Sequence, residues 1–379
     1  MKVLICIPCL MTGGTEIQTL NIVQALVQSG HDVTVACYFE HTPDMVARYR
    51  KAGAQIVLFS PDGIRATGYR SIIFLYKHLR SIVKQMRPDI THVQYMAPGA
   101  TVILLLWLMG VKNIITTAHT PADIYKNLRL IHFIQRHCVR AFTCITELAE
   151  KSFFGTSQLY TPETKLKKRN HFTIHNCLSI DNSPMAIDNS KLYTLHSKLN
   201  CFTLGVVSRL ETIKGMDLVV PAFAEVQKRH PGTRLIVVGD GSLRSTMEQQ
   251  AVELGCAEHI TWAGRQPQEE LNNWYSQMNI VLMPSRSEGF GLTAIEAMSN
   301  GCVMVASNVG GLPEVVRDGE CGLLHRSEDI TDIHKKVSSL IGNNTTYNRL
   351  RNKALTEVEK YSFEHYAELI NDMYNKCKV

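Results

Sequence analysis

The run Val3-Leu4-Ile5-Cys6-Ile7, the pair Gly13-Gly14, the apolar series Ile17, Leu20, Ile22, Val23, Leu26 and Val27, and the run Val33-Thr34-Val35-Ala36-Cys37 decide the fold of this chain. A short run rich in β-branched residues reads as a buried strand. An apolar residue at every third or fourth position reads as an amphipathic helix. Strand, glycine turn, helix and strand in that order make a parallel pair, because the intervening helix carries the chain back to the end where the first strand began. The rhythm continues through a helical pattern at 43–52, a strand at 56–59, a helix at 71–86, a strand at 90–94, a helix at 99–109 and a strand at 114–118. The expected first domain, residues 1–180, is a doubly wound α/β sheet.

Between about 156 and 197 the pattern gives way to Asn-, Ser- and Lys-rich sequence containing Pro162 and Pro184, which suits an irregular region and an interdomain link. A second series follows, with strands expected at 202–207, 235–238, 260–262, 280–283 and 303–306, each succeeded by a helical pattern. The second domain, 198–360, thus repeats the architecture of the first. The reading is of two Rossmann-like domains facing a central cleft, with ligands bound beyond the carboxyl ends of the strands.

Composition supports two cores. The chain has 379 residues, with 45% hydrophobic and 20% charged, as in ordinary globular proteins. Its longest apolar run, 102–111, is about half the roughly 20 residues that a bilayer helix needs. Lys2 and the apolar stretch after it imitate a secretory signal, but Gly13-Gly14 and an amphipathic helix follow where a cleavage site belongs. Eleven cysteines without regular spacing imply reduced thiols and a cytoplasmic protein, in which the sequons at Asn343 and Asn344 are silent. Charge is uneven: residues 1–180 hold 20 Lys and Arg against 10 Asp and Glu, while 181–379 hold 20 against 24. A first half at +10 attracts nucleic acid, anionic lipid or phosphorylated substrates, and charge alone does not choose among them.

The most informative motif is Pro284-Ser285-Arg286-Ser287-Glu288-Gly289-Phe290-Gly291-Leu292-Thr293-Ala294-Ile295-Glu296-Ala297-Met298, which leaves a strand and opens a helix. Glycines allow close backbone approach, and the amides of Phe290, Gly291 and Leu292 at a helix N-terminus suit an anion. Glu288 and Glu296 are eight residues apart, at most about 12 Å along a helix, so they can bracket a phosphate and reach both ends of a nucleotide-sugar. Spacing alone leaves open an ordinary helix start with Glu296 solvated or capped.

This motif resembles the signature of the retaining family-four glycosyltransferases (glycosyl transferases group 1), whose fold is GT-B, and the likeness extends over most of the chain. The resemblance implies that Glu288 grips the donor sugar and Glu296 accepts from the ribose hydroxyls. Ser208-Arg209-Leu210-x3-Lys214-Gly215 matches the family's diphosphate-binding pair, with Arg209 as a planar fork and Lys214 as a mobile point charge. Alone, that pair reads more readily as a surface basic patch, and it is Glu288 and Glu296 beside it that reverse the reading. Gly239, in Val238-Gly239-Asp240-Gly241, corresponds to a turn that brings backbone near the nucleotide. Arg244 stands where a dinucleotide fingerprint needs its third glycine, which disfavours hydride transfer. Gly310-Gly311-Leu312-Pro313-Glu314 is assigned a structural role, and 361–379 resembles the terminal helix that packs back on the first domain. In that domain Gly13 and Gly14 stand where the family offers amides to the donor phosphate, and His119 stands where it has an active-site histidine. A plain turn and a structural histidine are the alternatives.

Two further features are weighed against chemistry. Cys6-Ile7-Pro8-Cys9 resembles a redox pair, but the helix that should begin at those cysteines starts only after Gly14, so buried thiols are the better reading. Lys77, Arg80, Lys84 and Arg87 form a stripe on a helix backed by Ile72, Leu79, Ile82 and Val83. That stripe, with the cluster Lys165, Lys167, Lys168 and Arg169, is either a solvated face or a docking face for anionic membrane or acceptor phosphate. It lacks the interleaved aromatics of a nucleic-acid binder, so no nucleic-acid partner is expected.

The function expected is retaining hexosyl transfer from a nucleoside-diphosphate sugar, UDP-sugar favoured over GDP-mannose, to a glycan or lipid-linked glycan in surface polysaccharide synthesis. The catalytic set is Glu288, His119, Arg209 and Lys214. The donor-binding set is Gly13, Gly14, Gly239, Phe290, Gly291, Leu292 and Glu296. The chain contains no Asp-x-Asp, and neither metal nor cofactor is expected. The alternatives are a GT-B isomerase or epimerase of nucleotide-sugars and a non-catalytic nucleotide-sugar binder.

Overall fold

The structure, a computed structural model, describes residues 1–94, 99–125, 127–179 and 202–378. Pro184 and the rest of the expected link beyond Ser179 lie outside the described residues. The chain divides into two compact units, one of Met1–Ser179 with Phe363–Val379 and one of Ile180–Ser362.

The first unit is built on seven strands: β1 (Lys2–Ile7), β2 (Asp32–Cys37), β3 (Gln55–Leu58), β4 (Ile90–Gln94), β5 (Ile114–Ala118), β6 (Ala141–Cys144) and β7 (His171–Thr173). Their order is β3-β2-β1-β4-β5-β6-β7, every pair parallel. The direction of winding therefore reverses between β1 and β4. β1, β4 and β5 are buried at nearly every position, as strands covered on both faces must be. β6 and β7 fall where the sequence offers no clear strand. In His171-Phe172-Thr173 only the middle residue is apolar, and it is pairing with β6 that extends the segment.

Helix Gly68–Met86 meets the core along Leu75, Leu79 and Ile82, with Phe74 stacked on Phe39 and His78 on Phe59. The expectation that Ile72 backs this helix is not met: Ile72 is 48% exposed, one turn before the packed face begins. Helix Phe363–Cys377, preceded by a 3₁₀ turn at Val358–Tyr361, belongs to the first unit and lies against helix Gly14–Gln28. It buries Phe363, Tyr366, Ile370, Met373, Tyr374 and Cys377, a helical stripe.

The second unit has six strands: β8 (Thr203–Val207), β9 (Arg234–Val238), β10 (Ile260–Gly264), β11 (Ile280–Met283), β12 (Val303–Ser307) and β13 (Gly322–His325). They run parallel in the order β10-β9-β8-β11-β12-β13, reversing between β8 and β11. The loops that leave β8 and β11 carry Arg209, Lys214 and Glu288.

Candidate active site

Two glycine turns bring the β8 and β11 loops together. Lys214 closes a 3₁₀ turn, Thr212–Lys214, and Gly215 follows in the left-handed region at φ 66°. A β-carbon on Gly215 would lie 1.9 Å from the Pro284 carbonyl oxygen, so only glycine lets the Lys214 turn reach the end of β11. Across that contact the Lys214 ammonium donates to Glu288 Oε2 at 2.6 Å, with 21% and 14% of the two side chains exposed. The Glu288 carbonyl accepts from the Gly311 amide at 3.1 Å, and a β-carbon on Gly310 would stand 1.9 Å from that same oxygen. The Gly310-Gly311 pair thus seats the backbone of Glu288 itself, a structural role.

Gly291, at φ 107°, starts helix Leu292–Ser299, whose first amides have no partner within the helix. Phe290 is buried with its ring edge-on to Tyr361, which leaves its backbone as the part able to meet a ligand. On the next turns Glu296 accepts from the Tyr275 hydroxyl at 3.1 Å and from Gln268 Nε2 at 3.2 Å. Burial, together with the neighbouring Glu296 carboxylate, pushes the Tyr275 phenol far up, so it stays a donor. Tyr275 and Gln268 escape sequence reading because they lie on separate elements, with no spacing relative to Glu296 to mark them.

Gly239, at φ 132°, faces backbone: a β-carbon there would meet the Ser208 carbonyl oxygen at 1.8 Å, and one on Gly241 would meet that of Leu210 at 2.5 Å. With the amides of Ser208 and Leu210 bonded to the carbonyls of Val238 and Asp240, the β9 loop supports the segment that presents Arg209. Arg209 is exposed; its backbone carbonyl accepts from the Glu211 amide at 2.9 Å, and its guanidinium makes no hydrogen bond or ion pair among the described residues.

In the first unit Gly13 caps helix Gly14–Gln28 in extended conformation. A β-carbon on Gly13 would lie 2.4 Å from Glu16 Oε2, a carboxyl that also accepts from the Cys9 thiol at 3.2 Å. Burial raises the pKa of Glu16. The amides expected to meet a phosphate therefore have an acid beside them. Cys6 and Cys9 are free, and burial pushes both thiols up to about 12, which removes the thiolate that redox chemistry needs.

His119, just past β5, is 5% exposed and held neutral by burial, its pKa pushed down to about 3. Its Nε2 bonds Gln94 Oε1 at 2.8 Å, Gln94 Nε2 contacts His92 Nε2 at 3.3 Å, and His92 bonds Thr117 Oγ1 and Tyr374 Oη, both at 2.7 Å. One assignment satisfies the chain: His119 donates from Nε2, Gln94 and Thr117 donate to His92 Nε2, and His92 donates from Nδ1 to Tyr374. His92 and Gln94 were legible as polar residues two apart in a buried strand; Tyr374, almost three hundred positions on, was not.

The basic features divide. Lys77, Arg80, Lys84 and Arg87 are exposed, but Arg169 is bound to buried Glu150 at 2.8 Å, and Glu163 lies among the lysines of the 165–169 cluster. That cluster is partly neutralised.

Two Rossmann-like parallel-sheet units with loop-borne acids and cations at the strand ends are the GT-B class of glycosyltransferase fold. The solved glycosyltransferase of Rickettsia africae matches with a TM-score of 0.79 at 16% identity, covering 99% of this chain and 98% of that one. Anabaena HepE in complex with UDP and glucose matches at 0.76 and 17%, covering 99% of each. Residues 12–151 match the family model described as Glycosyltransferase Family 4, residues 195–356 match that described as Glycosyl transferases group 1, and the chain belongs to this family. An uncharacterized glycosyltransferase of Haemophilus influenzae is 25% identical over 94% of each chain. A D-inositol 3-phosphate glycosyltransferase of Nocardia farcinica is 36% identical over 45% of this chain and 39% of its own. The chain spans about two-fifths of the length of such inositol phosphate relatives.

Proposed function

We propose that the protein is a retaining, metal-independent hexosyltransferase that uses a nucleoside-diphosphate sugar. The observation that carries this reading is the Lys214–Glu288 pair at the end of β11, with the helix bearing Glu296 starting three residues after Gly289. A sugar-binding acid, then a cation and helix amides for the diphosphate, then a ribose-binding acid match the order of a nucleotide-sugar's own groups. The bond from the anomeric carbon to the diphosphate oxygen breaks, the acceptor oxygen bonds the same carbon from the same face, and the departing diphosphate takes the acceptor proton. No side chain need be the base. Arg209 and Lys214 stabilise charge as it grows on the leaving group, where one well-placed donor is worth about 2.7–4 kcal/mol. His119, neutral, serves as a hydrogen-bonding group for the donor sugar.

UDP-sugars are favoured, since the related fold of Anabaena HepE holds UDP and UDP-glucose. A lipid-linked glycan acceptor, and hence a cytoplasmic enzyme peripheral to the inner face of the membrane, is supported by helix Gly68–Met86. It carries no Asp or Glu, exposes Arg70, Lys77, Arg80 and Lys84, and exposes Tyr69, Ile72, Ile73 and Tyr76 as well, so the expectation of a stripe without neighbouring aromatics is not met: Arg80 bonds the Tyr76 hydroxyl at 2.8 Å. The deciding experiment is a panel of nucleotide-sugars scored for nucleoside diphosphate release, with and without lipid-diphosphate-sugar acceptors and with EDTA. Acceptor-dependent release that survives the chelator is expected. Release or epimerisation without acceptor would point to an isomerase, and loss on chelation restored by magnesium would end the metal-free mechanism.

A further inference from the structure

Between Leu210 and Met216 the chain that carries Lys214 has no buried side chain, and Ile213 is 47% exposed. Core packing therefore does not fix the turn. Arg286 does so from the facing loop. Its guanidinium forms a fork with Asp217, Nη1 to Oδ1 at 2.7 Å and Nη2 to Oδ2 at 2.8 Å, and Nη1 also donates to the Thr212 carbonyl. Its Nε donates to Glu328 at 3.0 Å, and its backbone amide donates to the Ile213 carbonyl at 3.0 Å. Arg286 thus holds residues on both sides of Lys214, and it stands two positions before Glu288, the partner of that lysine.

We propose that Arg286 is a positioning residue, a fork that sets Lys214 at working distance from Glu288 and keeps the Asp217 carboxylate away from the lysine. The proposal rests on the reading of Lys214 as the cation of the departing diphosphate. Two consequences follow from the geometry. A planar fork with two parallel bonds fixes direction as well as distance, so lysine is a poor substitute. With Asp217 and Glu328 both committed to Arg286, the Lys214 ammonium has Glu288 as its one carboxylate partner among the described residues and is left to be shared between it and an arriving anion. Arg286 reaches the chemistry through Lys214 and touches no reacting atom.

The test uses the full chain and two readouts. In hydrogen exchange, Arg286→Lys and Asp217→Asn should each speed exchange of the amides of Lys214, Gly215 and Leu218, which are bonded within the turn, while β8 and β11 stay protected. In nucleoside diphosphate release with the donor that the panel identifies, Arg286→Lys should lower kcat about tenfold and leave donor KM within about twofold, since the interaction grows in the transition state. In a Lys214→Ala background the same substitution should cost less than about twofold more, the signature of two residues acting as one. Unchanged exchange in both variants overturns the proposal, as do losses that multiply in the double variant. If Lys214→Ala alone leaves turnover intact, the reading of the donor site fails, and the exchange data still decide whether Arg286 pins the turn.

Discussion

Glu288 and Glu296 are held by different kinds of partner, and that difference predicts different chemistry. Tyr275 and Gln268 are neutral donors that orient Glu296, whose carboxylate, on the proposed reading, accepts from the ribose hydroxyls. Lys214 is a cation paired with Glu288, and on the proposed reading it is shared once a diphosphate arrives. Glu296→Gln should therefore weaken binding of UDP by roughly ten- to a hundredfold, in keeping with about 1.5–3 kcal/mol for a hydrogen bond to a charged group. Tyr275→Phe should weaken it less, and Glu288→Gln should spare UDP affinity and impair transfer. Titration calorimetry with UDP separates them, and equal losses in the two glutamate variants would mean that their places along the donor are reversed. The positions of both acids were readable from a single motif. Their partners were not, because hydrogen bonds between separate elements leave no periodic trace in the chain.

At the level of elements, β4 and β5 carry a buried polar ladder whose cost depends on pH. His92 and His119 have pKa values pushed down to about 3 by burial, with His119 adding to the effect at His92, against about 6.5 in an unfolded chain. Between these values the unfolded state binds the protons that the native state refuses. Stability is then complete above about pH 6.5 and falls as pH drops toward 3, by about 1.4 kcal/mol per pH unit for each histidine. Urea melts at pH 7, 6 and 5 should show this slope, and His92→Gln should flatten it by about half. A slope unaffected by that substitution would assign the acid sensitivity elsewhere. Helix Gly68–Met86 makes a separate prediction: the protein should co-sediment with anionic vesicles at low salt and be released as salt screens the surface, each cation contributing about 1 kcal/mol. Changing Lys77, Arg80, Lys84 and Arg87 to Gln should abolish that binding; if it persists, the stripe is a solvated face. Strong periodicity made β1, β2, β4, β5 and this helix legible. β6 and β7 were hidden because a four- or three-residue strand is defined by its neighbours more than by its own composition.

Across the whole chain, the first unit is completed by a helix encoded after the second. Helix Phe363–Cys377 contributes six buried side chains and the Tyr374 hydroxyl that satisfies His92. At about 1.5–3 kcal/mol for each large apolar group buried, their loss is on the order of 10 kcal/mol, comparable to the entire stability of a domain. A chain ending at Ser362 should thus keep a cooperative melting transition for the second unit and lose that of the first, with trypsin cleaving selectively within 1–179. Two transitions of unchanged temperature would show the helix to be dispensable. The repeated strand–helix rhythm revealed the two sheets, and a helical stripe revealed that the last helix must bury a face. Which surface receives that face depends on tertiary contact alone.

The same discontinuity bears on synthesis. A ribosome that adds about 5–20 residues per second delivers the complete first sheet and then translates the whole second unit before Phe363 emerges, a delay on the order of ten seconds or more. Over that interval helix Gly14–Gln28 lacks its cover and the His92 ring lacks its acceptor. The second unit, continuous in sequence, can reach its native state first. The part of the enzyme that the cell makes earliest is therefore the part that matures last, and the nascent chain is most exposed to chaperones and proteases through its own N-terminal half.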